Sequence, residues 1–508
     1  MPSLPNFYTD FHGGFDTKDQ PFLLSDDTAR DVANLQATRA GAMVKRAGLQ
    51  TFASPAGVVT SLRSFESVTP LRLVGALGTT LIAIDPTGVI STIKTGLAAA
   101  RWDFAQALNA AGVPMIFGIN GVDPAQQWDG AAGTTSNWTN TSGSSPVPNG
   151  KYLVYANNQI YIAGVANAPS RVYWSAIANP NNWDPSSNLG AGFQDFDPGD
   201  GQVITAIGRV GPYVMVCKPR KTFIIIDPTT ATTRRLSDNV GCIAHRSIAT
   251  GPEGTYFLSE DRGVYQTNGS ALDPISDSIQ PTIDLGAANA ASAAGACFGG
   301  HYYLSMALSG VGGNDTTLDY DSILQSWWKH TFGASQFTVW HPANVPQLMQ
   351  AKGNEAGIDQ CFAPGVTVDN GVPFTWVWRG PWQSPSWSAA HRRVSPMPYY
   401  RKRLRQMRII GTGTIDFSMA RDFADDESLI RSDILFSPYS VPLQWADATI
   451  NWADPSAQWA QGALLRQGRV YSLGVSNAFS IVFSATSHTQ DEVTSYTLFM
   501  VDRKDLMP

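Results

Sequence analysis

From about residue 60 to about residue 385 the chain keeps returning to one pattern. A short run of β-branched, aromatic and other apolar residues is followed by a turn, then by another such run. Residues 71–77, 79–85 and 89–93 form one such series, broken by Gly78 and by Pro86-Thr87-Gly88. Residues 114–119 precede Asn120-Gly121, a hairpin signal, and residues 151–155 and 160–164 flank Asn157-Asn158. Residues 203–208, 213–217 and 222–227 follow in quick succession, then 255–259, 263–267, 301–306, 318–320 and 375–378. The units recur at roughly 50 residues, within the period range of propellers and other arrays. Each has room for about four strands, the content of one blade. The expected fold is therefore all-β: a β-propeller of about six or seven blades, with a stack of separate β-sandwich domains as the competing architecture.

Composition agrees. Charged residues make up 15% of the 508, while glycine (46) and proline (32) are plentiful, which suits many short strands and tight connections. The net charge of −6 argues against a protein that grips nucleic acid by its phosphates. It suits a conduit through which DNA slides, and equally an ordinary soluble protein. Cys217, Cys242, Cys297 and Cys361 sit in apolar or small-residue stretches without C-x-x-C spacing, and read as buried free thiols. No signal peptide and no membrane-spanning helix are expected.

The two ends differ from the middle. Residues 1–55 read as an extended N-terminal arm that orders only against a partner, with a short helix over residues 26–35 capped by Ser25 or Asp26. Residues 56–390 are assigned to the propeller with inserted loops. Residues 391–508 are assigned to a C-terminal, β-sandwich-like domain, with strands over 403–410, 414–419, 471–475, 479–484 and 494–501.

Motifs for chemistry are sparse. No nucleophile elbow, zinc-protease helix, phosphate loop or dinucleotide fingerprint is present, and the seven histidines are dispersed. Cys242 and His245 lie close in sequence, but a nucleophile and its base are normally assembled across a fold. Asp195-Phe-Asp197-Pro-Gly-Asp200-Gly201 has the alternating carboxylates of a calcium loop, stretched by one residue and without the distal glutamate, so a polar turn is the plainer reading. Ser259-Glu-Asp261-Arg-Gly263-Val-Tyr265 is similar to the Asp-box hairpin of sialidase-type propellers, where the aspartate braces a turn. No catalytic residue, metal or cofactor is assigned, and the chain is read as a non-enzyme.

One run is strongly basic: Arg392 and Arg393, then Arg401, Lys402, Arg403 and Arg405, interleaved with Tyr399 and Tyr400. It is read as a subunit interface or exposed edge, with a DNA or channel contact as the other possibility. Asp422, Asp425, Asp426 and Glu427 are read as its expected acidic intersubunit counterpart.

The order of the remaining motifs resembles the tail nozzle proteins of short-tailed bacteriophages, also called tail tubular or DNA-stabilisation proteins. Phe11-His-Gly13-Gly14 is similar to the opening of that family, and Asn34-Leu35 through Gly41 to Lys45-Arg46-Ala-Gly48 to its next element. Pro124 to Trp128-Asp129-Gly130, Arg171-Val-Tyr-Trp174-Ser175 with Asn179-Pro180 and Trp183, Asp200-Gly201, Val240-Gly241-Cys242, and Phe257 to Gly269 continue in order. The resemblance covers residues 7–270; the C-terminal third matches only in general character. It implies a virion protein, made in the cytoplasm of a bacterial host, whose homo-oligomeric ring (a hexamer) extends the DNA channel. Such a ring retains packaged DNA and passes it on ejection. Its implied partners are the head–tail adaptor and portal, tail fibres or spikes, and double-stranded DNA in transit. Phe11, Lys45 and Arg46 are then expected at adaptor or intersubunit contacts. The alternative is a receptor- or polysaccharide-binding tail protein, including a depolymerase, which would share the aromatic-rich β character.

Overall fold

The structure, a computed structural model, describes residues 4–383, 402–421, 428–436, 466–476 and 478–502, apart from residues 132, 143–145, 188, 262 and 311. The chain divides into two compact units. One is Leu49–Gln325 with His330–Pro364; the other is Met1–Gly48 with Ser326–Lys329 and Gly365–Pro508.

The first unit holds seven four-stranded sheets, apart from most of Ser326–His330, the last strand of the sixth. Their leading strands are Val59–Phe65, Asp103–Leu108, Tyr152–Ala156, Ala206–Val210, Ala249–Gly251, Ala294–Phe298 and Ala334–Trp340. Six sheets use strands in chain order. The seventh takes Ala334–Trp340, Gln347–Lys352 and Ile358–Cys361 and borrows its last strand, Gln50–Ala53, from the start of the unit. Neighbouring leading strands touch in cyclic order, the last returning to the first, so the sheets close into a ring around an axis. This is a seven-bladed β-propeller. Its closing strand lies inside the span expected to be an arm.

Local chemistry sets the blades. Asn157 and Asn158 both take positive φ (51° and 57°), the conformation of a two-residue hairpin whose twist matches its strands. The following strand, Gln159–Ala163, is buried at every position because blades cover both its faces. Apolar layers fill the space between successive blades. Trp102, Phe104 and Trp128 meet Phe65, Val74 and Ile93 between the first and second blades. Trp138 and Trp183 meet Phe117, Ile160 and Ile162 between the second and third. Each fully buried Ile or Phe in such a layer contributes roughly 1.5–3 kcal/mol.

The second unit is built on a ten-stranded sheet. Its central strand, Lys402–Arg421, is 20 residues long. The first half pairs with Arg466–Ser476 and Glu492–Asp502, the second with Ser428–Phe436 and Phe479–Thr486. The strand changes partners around Gly411 and Gly413, and Gly413 has φ of 85°. Met407, Ile409, Ile415, Phe417 and Met419 are buried, while Gln406, Arg408, Ile410, Asp416 and Ser418 beside them are less so. A strand that switches partners through a bend is how two sheet halves share one core.

The N-terminal segment completes this unit. Leu4–Tyr8 and Met43–Lys45 pair with Glu492–Asp502, and Asp31–Ala33 pairs with Thr375–Gln383. Tyr8 stacks on Tyr496 at 4.5 Å, and Phe11 meets Trp378 edge-on at 5.4 Å. The segment expected to wait for a partner thus finds one in its own chain. No helix forms over residues 26–35. Asn34 sits at φ of 58°, outside helical space, and Asp31–Ala33 is recruited as a strand. The strand expected at 375–378 belongs here and not to the propeller. In chain order, the propeller is inserted into the second unit between residues 48 and 365.

Candidate functional site

The leading strands of all seven blades surround one axial cavity of about 490 Å³. Neighbouring leading strands of a propeller are not hydrogen-bonded to each other as sheet partners, so their exposed edges need side-chain acceptors. The cavity supplies them. Gln336 Oε1 accepts the Leu62 N–H (3.1 Å), Thr338 Oγ1 the Ser64 N–H (3.1 Å), and Gln106 Oε1 the Glu66 N–H (3.3 Å).

Leading strands run in the same sense around the axis, so their first residues share one end. There the linker before Ala249–Gly251 reaches across. His245 Nε2 meets Asp103 Oδ2 at 2.7 Å, and Asp103 also accepts the Leu153 N–H at 2.6 Å. Arg246 donates to the Thr60 carbonyl, to Ser61 Oγ (2.8 Å) and to the Trp102 carbonyl (3.0 Å). These bonds tie the fifth blade to the first and second, across the ring. Burial, helped by the nearby Arg101 guanidinium, pulls Arg246 down to about 10 against the attraction of Asp103. Burial would raise Asp103, but His245 and the bonds it accepts hold it below the usual carboxylate range.

This pair is built for bracing. His245 Nδ1 accepts from the Ile207 N–H (3.4 Å) while Nε2 faces Asp103, so both ring nitrogens are occupied. Cys242, near it in sequence, is elsewhere engaged: its thiol lies 3.2 Å from the Ala244 carbonyl, and burial pushes it up to about 12. The two do not form a nucleophile and base.

A second cavity of about 310 Å³ lies between the fifth and sixth blades, lined by Glu253, Tyr256, Cys297, His301 and Ser322 among others. His301 Nδ1 meets Asp319 at 2.7 Å, and His330 Nε2 meets the same carboxylate at 3.1 Å. Burial opposes protonation of His301, but Asp319 and Asp321 raise it to about 9.

The calcium-like loop holds cations of the protein itself. Asp195 pairs with Arg171 (2.7 Å), Asp197 with Lys221 (2.9 Å) and Arg235 (2.6 Å), and Asp200 with Lys218 (2.7 Å) and Lys221 (2.9 Å). Lys218 is fully buried. The loop is a structural ion-pair network, and among the described residues no His, Cys, Asp or Glu cluster suits a metal. Asp261 braces its hairpin: it accepts from the Gly263 N–H (3.0 Å) and the Tyr265 hydroxyl (2.7 Å). Cys217, Cys242 and Cys361 are buried; Cys297 is partly exposed.

Phe11, Lys45 and Arg46, expected at contacts with other subunits, are about 1% exposed within the second unit. Arg46 makes a bidentate pair with Asp369 (2.9 and 2.6 Å), donates to Asn34 Oδ1 (2.9 Å) and lies 4.0 Å from the Phe374 ring. Lys45 Nζ donates to the Ser487 carbonyl at 2.6 Å. In this chain the three side chains are spent on its own core. Arg392, Arg393, Arg401, Asp422, Asp425, Asp426 and Glu427 lie outside the described residues, as do the side chains of Lys402, Arg403 and Arg405, whose backbone begins the long central strand. The axial residues Arg63, Asp103, Arg209 and Arg246 escaped the sequence reading, because nothing in a weak repeat tells which strand of a blade is innermost.

No family model matches the chain, and no curated protein does. Among the solved structures similar to it are three propeller proteins. The β-propeller domain of Cps50 (Swd1) from Myceliophteria thermophila is 12% identical, covers 61% of this chain and 98% of its own, and has a TM-score of 0.40. Virginiamycin B lyase from Staphylococcus aureus is 10% identical with the same coverages and a TM-score of 0.43. PorZ of the type IX secretion system of Porphyromonas gingivalis is 11% identical, with 65% of this chain and 42% of PorZ covered and a TM-score of 0.38. By its own sheets the chain is a β-propeller protein carrying a second β unit, and no role is taken from these structures.

Proposed function

We propose that the chain is a structural, non-enzymatic subunit of a bacteriophage tail, forming a nozzle ring that retains and then passes the packaged DNA. One observation carries this reading: the residues behind the resemblance are fasteners of the fold. A Cβ on Gly14 would lie 2.5 Å from the Trp327 carbonyl oxygen, and one on Gly48 would lie 2.0 Å from that of Val368. Asn34 and Arg46 bond each other, and Trp128 fills the layer between the first two blades. Trp183 Nε1 and Trp138 Nε1 both donate to the Pro180 carbonyl (2.8 and 3.1 Å), and a Cβ on Gly241 would lie 1.9 Å from the Lys218 oxygen. A signature made of packing residues suits a protein whose task is to hold shape.

The bonds of His245 and Arg246 across the propeller axis leave that axis unsuited to a duplex, so the DNA channel of such a ring is formed between subunits. The test is quantitative mass spectrometry of purified virions fractionated into heads and tails. A hexameric nozzle ring is expected to co-fractionate with the tail at about half the portal copy number. Absence from the virion, or a copy number that follows the fibres, would replace this reading with a cellular or a receptor-binding one.

A further inference from the structure

We infer that the axial cavity of the propeller binds a small phosphate-bearing anion. The inference is independent of the phage reading. It rests on the side-chain donors that stand free on the cavity wall.

The side-chain amide oxygens there are consumed. Gln336 and Gln106 turn their carbonyl oxygens to backbone N–H groups, which fixes the amide orientation and leaves both NH₂ groups without a bonded partner among the described residues. Thr338 Oγ1 likewise accepts from the backbone and keeps its proton to donate. Two guanidiniums join them. Arg63, in the second half of the first blade's leading strand, has no bonded partner among the described residues. Arg209, on the fourth blade, uses only its Nε, which donates to the Gly211 carbonyl at 2.9 Å. Both are exposed to the cavity they line. Among the described residues lining the cavity the one carboxylate, Asp103, is already engaged by His245 and the Leu153 N–H. The lining thus holds three guanidiniums (Arg63, Arg209 and Arg246) against one carboxylate, inside a protein of net charge −6.

Donors converging from the first, second, fourth and seventh blades suit a tetrahedral oxyanion, with acceptor oxygens on every side, better than a planar carboxylate. Arginine reads such oxygens in pairs. The volume, about 490 Å³, falls within the range of small-molecule sites and is too small for a folded partner. Arg246 and His245 span the opposite end, so the ligand enters past Arg63 and Arg209.

The test is a calorimetric titration of the full chain with pyrophosphate and inorganic phosphate, at constant ionic strength set by chloride. Saturable binding of one pyrophosphate per chain is expected, with inorganic phosphate weaker and acetate silent. Gln336→Glu keeps the oxygen that accepts the Leu62 N–H and turns the free donor into an acceptor, so the blade contact survives. It should weaken pyrophosphate binding by about tenfold or more, as should Arg63→Gln and Arg209→Gln. Thermal unfolding of each variant without ligand confirms that it folds. The inference is overturned if wild type shows no saturable binding up to about 10 mM. It is equally overturned if chloride alone reproduces the heat, or if folded variants bind as wild type does.

Discussion

At the scale of single residues, the protein keeps several charges deep inside and satisfies each with a specific partner. Arg46 is the clearest. Its side chain is fully buried, and it holds Asp369 through two bonds and Asn34 through a third. Truncating one member of such a pair strands the other, at a typical cost of 3–5 kcal/mol. Arg46→Ala is therefore expected to destabilise the second unit by about 3 kcal/mol, read as a lower urea midpoint with an unchanged slope. Arg46→Lys should recover only part of this, because a lysine cannot form the planar fork. His301 gives a pH dependence. Its folded-state pKa of about 9 lies above the ordinary 6.5, since Asp319 and Asp321 favour the cation. The folded state then binds the proton more tightly than the unfolded chain. The resulting stabilisation is complete below pH 6.5 and disappears as pH rises through 9, amounting to at most ~3 kcal/mol. Urea midpoints measured from pH 6 to 9.5 should fall for wild type and stay flatter for His301→Asn. Equal slopes would remove His301 from the account.

At the scale of elements, the bend in the strand Lys402–Arg421 depends on Gly413. A Cβ there would lie 2.1 Å from Asp491 Oδ1, at a φ that L side chains rarely adopt. Gly413→Val should cost at least ~2 kcal/mol by combining backbone strain with overpacking, measured by thermal unfolding; a stability near wild type would mean that the bend tolerates a side chain. The elements also show what a sequence reveals. Buried strands were legible from their apolar content: residues 114–119, 213–217, 222–227 and 301–306 are strands with those bounds. Outermost strands were not. Thr232–Ser237 reads TTRRLS and is largely exposed, so no apolar alternation marks it. The helix expected over residues 26–35 failed because long-range pairing with Thr375–Gln383 outweighs local propensity. The candidate site stayed hidden for a related reason. Arg63 and Arg209 are ordinary arginines in sequence, and only the closing of the ring brings them to one cavity.

At the scale of the whole molecule, the chain is a propeller inserted into a β unit made from both of its ends. Pairings such as Leu4 with Met500 and Gln360 with Gln50 join residues several hundred positions apart. Closing such long loops costs entropy that grows only slowly with their length, so the arrangement is affordable once each sheet is complete. Completeness is therefore the variable to test. A fragment of residues 49–364 contains all seven leading strands and the closing strand Gln50–Ala53, and should fold alone with a cooperative thermal transition. A fragment starting at residue 56 lacks that strand and leaves Ile358–Cys361 as an open edge. It should lose cooperativity and associate through the edge. Residues 365–508 alone lack Leu4–Tyr8, Asp31–Ala33 and Met43–Lys45, together with the rings of Tyr8 and Phe11 that fill their core. They should stay unfolded alone and gain packed structure when residues 1–48, the larger missing part of the unit, are co-expressed. Near-UV circular dichroism distinguishes packed aromatic cores from collapsed chains in each case. If residues 365–508 fold unaided, the N-terminal segment is dispensable to its own chain and becomes free for a partner, as an extended arm would be. If they need it, the ends of the chain are committed to each other, and any ring contact must be sought on other surfaces.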